Sequence, residues 1–349
     1  MGGRRRRRSR ASREDEWIEW IRKQVGPAPS QRFPLGIGDD AALWRPPPRS
    51  DVVLTVDCQA AGTHFERGWL KPRELGFRAV SSSVSDLAAM AARPGALLVS
   101  LLIDERLRPS GFRELYRGIC EASSMYSMPV VGGNVARGPL SVTVTALGSV
   151  ERRGALLRGD LGPGDEVWVT GCPGLARLGL LSLQGKLGSL RGVPGVRSAV
   201  DAFKRPRARL LEARALKRGW PLRALIDLSD GLGRDLEHLL AAAAERRGRL
   251  GVELEEAALS RLEPLRRLAE AAGLSPAAVA LEGGEDYELL LVTRPRPHAE
   301  RAARSFERRF GLALTRLGEI NRRPGIWLRQ PDGSSEATSV RAFEHFAPR

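Results

Sequence analysis

The stretch LIDLSDGL, Leu225 to Leu232, interleaves Asp227, Ser229 and Asp230 with apolar residues at a point where a buried strand ends. Similar groupings of acidic or amide side chains with glycine and other small residues recur along the chain. They are GIGDDAAL with Asp39 and Asp40, LTVDCQAAGTHF with Asp57, SSSVSDLAAM with Asp86, VVGGN with Asn134, and EGGEDYELLL with Glu285 and Asp286. A turn or a helix cap accounts for each one alone, since these are the commonest uses of Asp beside Gly. As a set they describe another chemistry. Carboxylates gathered at strand ends repel one another and stay ionised only with cations among them. Hard oxygen donors of this kind suit Mg²⁺, which keeps several waters and bridges protein carboxylates to substrate phosphates. A fold that brings these residues together is therefore expected to make a metal-phosphate site. The usual nucleotide loops are absent. GLLSLQGK spaces Gly179 and Gly185 six apart and places Leu187 where a phosphate loop has Ser or Thr, and GIGDDA lacks the third glycine of a dinucleotide fingerprint.

The elements that must position these residues alternate between strand and helix. Ser12 with Asp15 has capping-box spacing ahead of an amphipathic helix carrying Trp17, Ile21 and Val25 on one face. DVVLTVD (Asp51 to Asp57) reads as a strand, and Pro72 opens a helix reaching about Ala92. ALLVSLLI (Ala96 to Ile103) is a strand, a helix starts near Ser110, MPVVGGN (Met128 to Asn134) is a short strand breaking into two glycines, and SVTVTALGSV (Ser141 to Val150) is another strand. Around Glu151 to Gly171 the composition turns to Gly, Pro and charge, which marks a connector. Two α/β domains, 14–150 and 151–349, are expected to follow an Arg-rich tail, 1–13, read as disordered. In the second half strands are expected near 223–228, 250–254, 287–293, 312–318 and 325–329, with a helix interrupted at Pro206 and another beginning near Asp230.

A chain of 349 residues with 42% apolar content can bury a large core. No apolar run approaches the ~20 residues that span a bilayer. The three cysteines, Cys58, Cys120 and Cys172, are widely spaced and form neither a metal-type pair nor a disulfide framework, which fits free thiols in a reducing cytoplasm. The net charge of +15 owes seven units to Arg4–Arg8, Arg10 and Arg13, leaving +8 spread as isolated arginines with few aromatics between them. That pattern lacks the clustering and aromatic interleaving of a specific nucleic-acid surface. No apolar segment follows the arginines, so the tail is not expected to act as a signal peptide.

In order and spacing, GIGDDAAL, TVD…GTHF, SDLAAM, GGN…TVTALG, R…GPGDEVWVTG, DLSDGL and GGEDYELL resemble the thiamine-monophosphate kinase family. That family belongs to the superfamily of aminoimidazole ribonucleotide, selenophosphate and hydrogenase-maturation synthetases. The resemblance covers nearly the whole chain after the tail. It implies an N-terminal sheet that pairs with that of a second subunit in a β-barrel-like interface, and a C-terminal α/β domain that completes the site. It also implies a homodimer holding ATP and several Mg²⁺ ions, and direct phosphoryl transfer from ATP to thiamine monophosphate. By the same resemblance Asp39, Asp40, Thr55, Asp57, Asp86, Asn134, Asp227 and Asp230 are metal positions, with Asp227 and Asp230 closest to the chemistry. Arg158, Gly133, Asn134, Tyr116 and Ser229 would contact the nucleotide. His64, Glu285 and Phe343 would contact the acceptor.

The sequence departs from the family pattern at three places. Asn134 stands where an aspartate is usual, Ser83 where an asparagine precedes the helix aspartate, and Ala61 where a glutamate precedes the histidine. These substitutions keep two alternatives open: a different ATP-dependent synthetase of the superfamily, and a non-catalytic paralogue that binds nucleotide or thiamine phosphate.

Overall fold

The structure is a computed structural model that describes residues 13–26, 30–187 and 192–338. The capping pair at Ser12, the tail and Phe343 lie outside or at the margin of these residues.

The first half runs α1 (Arg13–Val25), β1 (Ser50–Ala60), α2 (Pro72–Ala89), β2 (Arg93–Ile103), α3 (Pro109–Tyr126), β3 (Val130–Arg137) and β4 (Ser141–Glu151). Its sheet has the order β1-β4-β2-β3, with β4 antiparallel to both β1 and β2, and β2 parallel to β3. Alternation of strand and helix thus gives a mixed sheet. The Gly132-Gly133 pair does not end β3, which continues to Arg137 because glycine lets the backbone run hard against β2 there. A Cβ on Gly133 would lie 1.8 Å from the Val99 carbonyl oxygen.

Strand alternation gives the sheet two unlike faces. Val53, Thr55, Asp57 and Gln59 point to α2, which is buried along nearly its whole length. α2 lies against α3 through reciprocal glycines: a Cβ on Gly76 would sit 2.0 Å from the Leu115 carbonyl oxygen, and one on Gly118 would sit 1.9 Å from that of Arg73. The opposite face carries Val52, Leu54 and Val56, which are 45%, 65% and 59% exposed. Phe33, Trp44 and Ala42, from the loop before β1, cover another part of it near Leu98, Val131 and Leu147.

The second half continues with β5 (Glu166–Thr170), α4 (Leu175–Leu183), α5 (Val196–Lys204), α6 (Leu210–Gly219), β6 (Leu222–Asp227), α7 (Leu232–Arg247) and β7 (Gly251–Glu255). It ends with α8 (Glu256–Leu259), α9 (Leu265–Ala271), α10 (Pro276–Glu282), β8 (Leu289–Thr293), α11 (Ala299–Phe310), β9 (Leu314–Asn321), β10 (Gly325–Arg329) and β11 (Ser335–Ala337). The sheet order is β11-β10-β7-β9-β5-β8-β6, antiparallel throughout except for β7 with β10. The helix around Pro206 is broken into α5 and α6 as its proline requires. α2 stops at Ala89, short of Ala92, because Ala91 turns to a positive φ of 50°. Beside the small Phe33 cluster, two large apolar cores form among the described residues. One belongs to the second half alone, and the other runs from the N-terminal sheet through Trp168, Ala213, Leu225 and Leu289, so the halves share buried surface.

Candidate active site

At the seam between the halves, three aspartates come from three elements. Asp57 projects from β1, Asp86 from the last turn of α2 and Asp227 from the end of β6. Burial raises Asp57 to a pKa of about 6, helped by the negative charge of Asp86. Burial raises Asp227 to about 7, with Asp86 and then Asp57 adding to the rise and the Ser85 hydroxyl partly offsetting it. Asp86 is also raised by burial, while a hydrogen bond from Thr55 Oγ1 to its Oδ2 and the charge of Arg158 hold it down. Burial and neighbouring carboxylate charge both disfavour the ionised form, which is the common cause of these shifts. The oxygen-only donor set and the accumulated negative charge fit a hard divalent cation.

Asp230 follows Asp227 across a turn and is half exposed. α7 starts at Leu232, two residues later than Asp230 itself, because Gly231 takes a φ of 109° to turn the chain into the helix. Asp235, in the first turn of α7, is buried and accepts a hydrogen bond from the Asp230 backbone N–H at 3.3 Å. Its pKa is pushed up to about 8 by burial, then by Asp227 and Asp230. His238, one turn further, brings Nε2 within 3.7 Å of Asp230 Oδ2, and ligand atoms of Asp230, Asp235 and His238 all lie within 4.8 Å of one another. Sequence reasoning stopped at Asp230 and missed Asp235 and His238. The signal was an acid in the first turn of the helix after DLSDGL and a histidine three residues on.

Arg158, in the connector after β4, is exposed and close enough to lower both Asp86 and Asp235. The loop before β8 is tied to the Asp227 turn: Glu285 N–H donates to the Ser229 carbonyl and Tyr287 N–H to that of Leu228, both at 2.8 Å. The Tyr287 hydroxyl is raised by burial, and the Arg78 guanidinium bonds both Glu285 and Gln59 of β1, which ties Glu285 to the seam. Its neighbour Asp286 turns the other way. It is buried, accepts from the Gly174 and Ala176 N–H groups at 2.6 and 2.8 Å, and so caps α4. His64, just past β1, takes the Ala60 N–H on Nδ1 at 3.1 Å.

The remaining expected residues sit elsewhere on the protomer. Asp39, Asp40, Gly133, Asn134 and Tyr116 line a cleft of about 610 Å³, walled also by Ile18, Ile21, Ile37 and Leu101. The register Cys58↔Thr143↔Ser100↔Asn134 puts Asn134 three strands from Cys58 and on the same face as it. At ~4.8 Å per strand that is about 14 Å, and alternation puts Asp57 on the opposite face. One protomer therefore gathers Thr55, Asp57, Asp86, Asp227, Ser229, Asp230, Arg158 and Glu285 in one group and Asp39, Asp40, Asn134, Gly133 and Tyr116 in another. Of the departures, Ser83 is buried and donates to the Val144 carbonyl at 2.7 Å, so it serves helix-on-sheet packing.

Residues 38–150 match the N-terminal domain of the AIR synthase related proteins, the class that the first half resembles. Within that class the similarity narrows. A thiamine-monophosphate kinase of Rhodopirellula baltica is 32% identical over 341 residues, 95% of this chain and 97% of that one. The crystal structure of thiamine-monophosphate kinase from Stenotrophomonas maltophilia superposes with a TM-score of 0.78 at 30% identity, covering 93% of this chain and 98% of that chain. AaThiL complexed with AMPPCP and TMP gives 0.71 at 28% identity, covering 97% and 100%. This chain belongs to the thiamine-monophosphate kinase family.

Proposed function

We propose that this protein transfers the γ-phosphoryl group of ATP to the phosphate of thiamine monophosphate, forming thiamine diphosphate and ADP. The observation that carries the proposal is the meeting of Asp57, Asp86 and Asp227, carboxylates delivered by β1, α2 and β6 to one seam with Thr55 bonded to Asp86, set beside Arg158 and the turn into α7. A relative solved with an ATP analogue and thiamine monophosphate gives the two substrates.

An oxygen of the acceptor phosphate would form the new bond to the γ-phosphorus as the bridging β–γ oxygen leaves with ADP. The acceptor is already ionised near neutral pH, so no strong base is needed, and the protein's work is positioning and charge compensation. Thr55, Asp57, Asp86, Asp227 and Asp230 would hold Mg²⁺. Bound there, Mg²⁺ supplies neutralisation of the phosphate oxygens. Arg158 would grip phosphate with its planar fork. Asp230 would be steered by Asp235, and the N-terminus of α7 favours the anion. His64 and Glu285 would face the acceptor, while the apolar cleft under Tyr116 suits a nucleotide base.

Asp39, Asp40 and Asn134 reach the same substrates if a second copy supplies them. The exposed Val52, Leu54 and Val56 face, on β1 at the edge of its sheet, supports a homodimer through the N-terminal domain, 14–150. A cytoplasmic location belongs to the same proposal, because ATP is a co-substrate. The test follows thiamine diphosphate directly, with ATP, Mg²⁺ and thiamine monophosphate, for the native chain and Asp230→Asn. Product from the native chain and a large loss in the variant supports the kinase. ATP binding without product from the native chain sinks it.

A further inference from the structure

We infer that Arg78 positions Glu285 for the acceptor, and so sets acceptor affinity from behind the site; this rests on the proposed contact between Glu285 and thiamine monophosphate. Arg78 lies in the middle of α2 and is 0% exposed. A guanidinium taken wholly out of water is tolerated only when its donors are engaged. Its Nε donates to Gln59 Oε1 at 3.1 Å, Nη1 to the Phe203 carbonyl and Nη2 to Glu285 Oε1, and its centre lies 4.3 Å from the Phe203 ring centroid. The partners belong to the end of β1, the last turn of α5 and the loop before β8. One buried cation thus fastens both halves of the molecule at the seam where Asp57 and Asp227 meet.

Glu285 is the partner that still reaches solvent, with 26% of its side chain exposed. Its backbone holds a left-handed φ of 68°, and its N–H is fixed to Ser229. The backbone sets where the side chain starts, and Arg78 sets where the carboxylate ends. The planar fork matters because it serves partners in three directions at once; a lysine offers a point charge and cannot hold the Phe203 carbonyl, Gln59 and Glu285 together. Arg78 touches no substrate on this account, so it is a positioning residue.

The test measures KM for thiamine monophosphate and for ATP separately in Arg78→Met, Arg78→Lys, Glu285→Gln and Arg78→Met/Glu285→Gln, with calorimetric titration of thiamine monophosphate beside them. Arg78→Met and Glu285→Gln are each expected to raise the acceptor KM about tenfold while the ATP KM stays within about twofold. Arg78→Lys should show the same selective rise, smaller in size, and it serves where Arg78→Met does not fold. The double variant should be no worse than the worse single one, because both remove one carboxylate placement. Equal rises in both KM values, or effects that multiply in the double variant, would overturn the inference. If Glu285→Gln raises the acceptor KM and neither Arg78 variant does, the positioning role alone fails. If Glu285→Gln changes nothing, the acceptor role of Glu285 falls, and the inference with it.

Discussion

The aspartates of the seam are held in a state that opposes stability, and that tension predicts their behaviour. Asp57 and Asp227 bind protons more tightly when folded, at about 6 and about 7, than an ordinary carboxylate near 3.8. Between those values the folded chain holds protons that the unfolded chain has released, so metal-free stability falls as pH rises from about 4 to about 7. Mg²⁺ binds the ionised form, so its apparent affinity rises over the upper part of that range, with proton release on binding. Thermal melting at several pH values, with and without Mg²⁺, checks both signs; a metal-free Tm that climbs from pH 5 to 7 would contradict them. Asp86 adds charge to both neighbours. Asp86→Asn is expected to raise the metal-free Tm near pH 8 while lowering kcat/KM about 100-fold or more, the magnitude typical of losing a preorganised electrostatic contact. Activity and melting measured on one preparation decide it, and a fall in both would mean that Asp86 is needed for folding.

At the scale of elements, α2 is the part on which the site depends most, since it carries both Asp86 and Arg78 and has α3 at its back. The reciprocal approach of Gly76 and Gly118 leaves no room for a side chain. Gly76→Val should therefore push α2 off α3, cost about 1–3 kcal/mol or more in denaturant unfolding, and lower activity beyond the loss of folded protein. A variant of unchanged stability would show that the helices are free to separate. The strands and helices themselves were largely legible, because hydrophobic period and Pro or Gly punctuation are local: Pro72 opens α2, α3 starts within one residue of the expected Ser110, and Pro206 separates α5 from α6. What escaped depended on distant partners. The run through Gly132 and Gly133 continues as strand because β2 lies beside it. Asp286 looks like a site residue in GGEDYE but caps α4 from far along the chain. Arg78 reads as an ordinary helix arginine until Gln59, Phe203 and Glu285 close around it.

In the whole molecule the order of the motifs was readable, but not how the sheet divides them. Sequence cannot say that β1 and β3 are opposite edges, nor that Asp57 and Asn134 point from opposite faces, because pairing order and register arise only on folding. On the proposed homodimer, that division would leave a single protomer incomplete as a kinase and would give the exposed Val52, Leu54 and Val56 face a purpose beyond apolar cover. Leu54→Glu should shift sedimentation from dimer to monomer and abolish turnover, while the isolated chain keeps its near-native melting behaviour, since Leu54 is 65% exposed. A stronger consequence concerns mixing. Asp57→Asn damages one group and Asp39→Asn/Asp40→Asn the other, so each homodimer should be inactive. If one site draws on both subunits, dissociating and reassociating the two variants together restores one intact site in a mixed dimer. Statistical mixing makes about half the dimers mixed, so roughly a quarter of native activity is expected when each mixed dimer regains one of two sites. No recovery, with mixed dimers shown to be present by mass spectrometry, would mean that both groups reach the substrates within one chain, through a movement that closes the distance across the sheet.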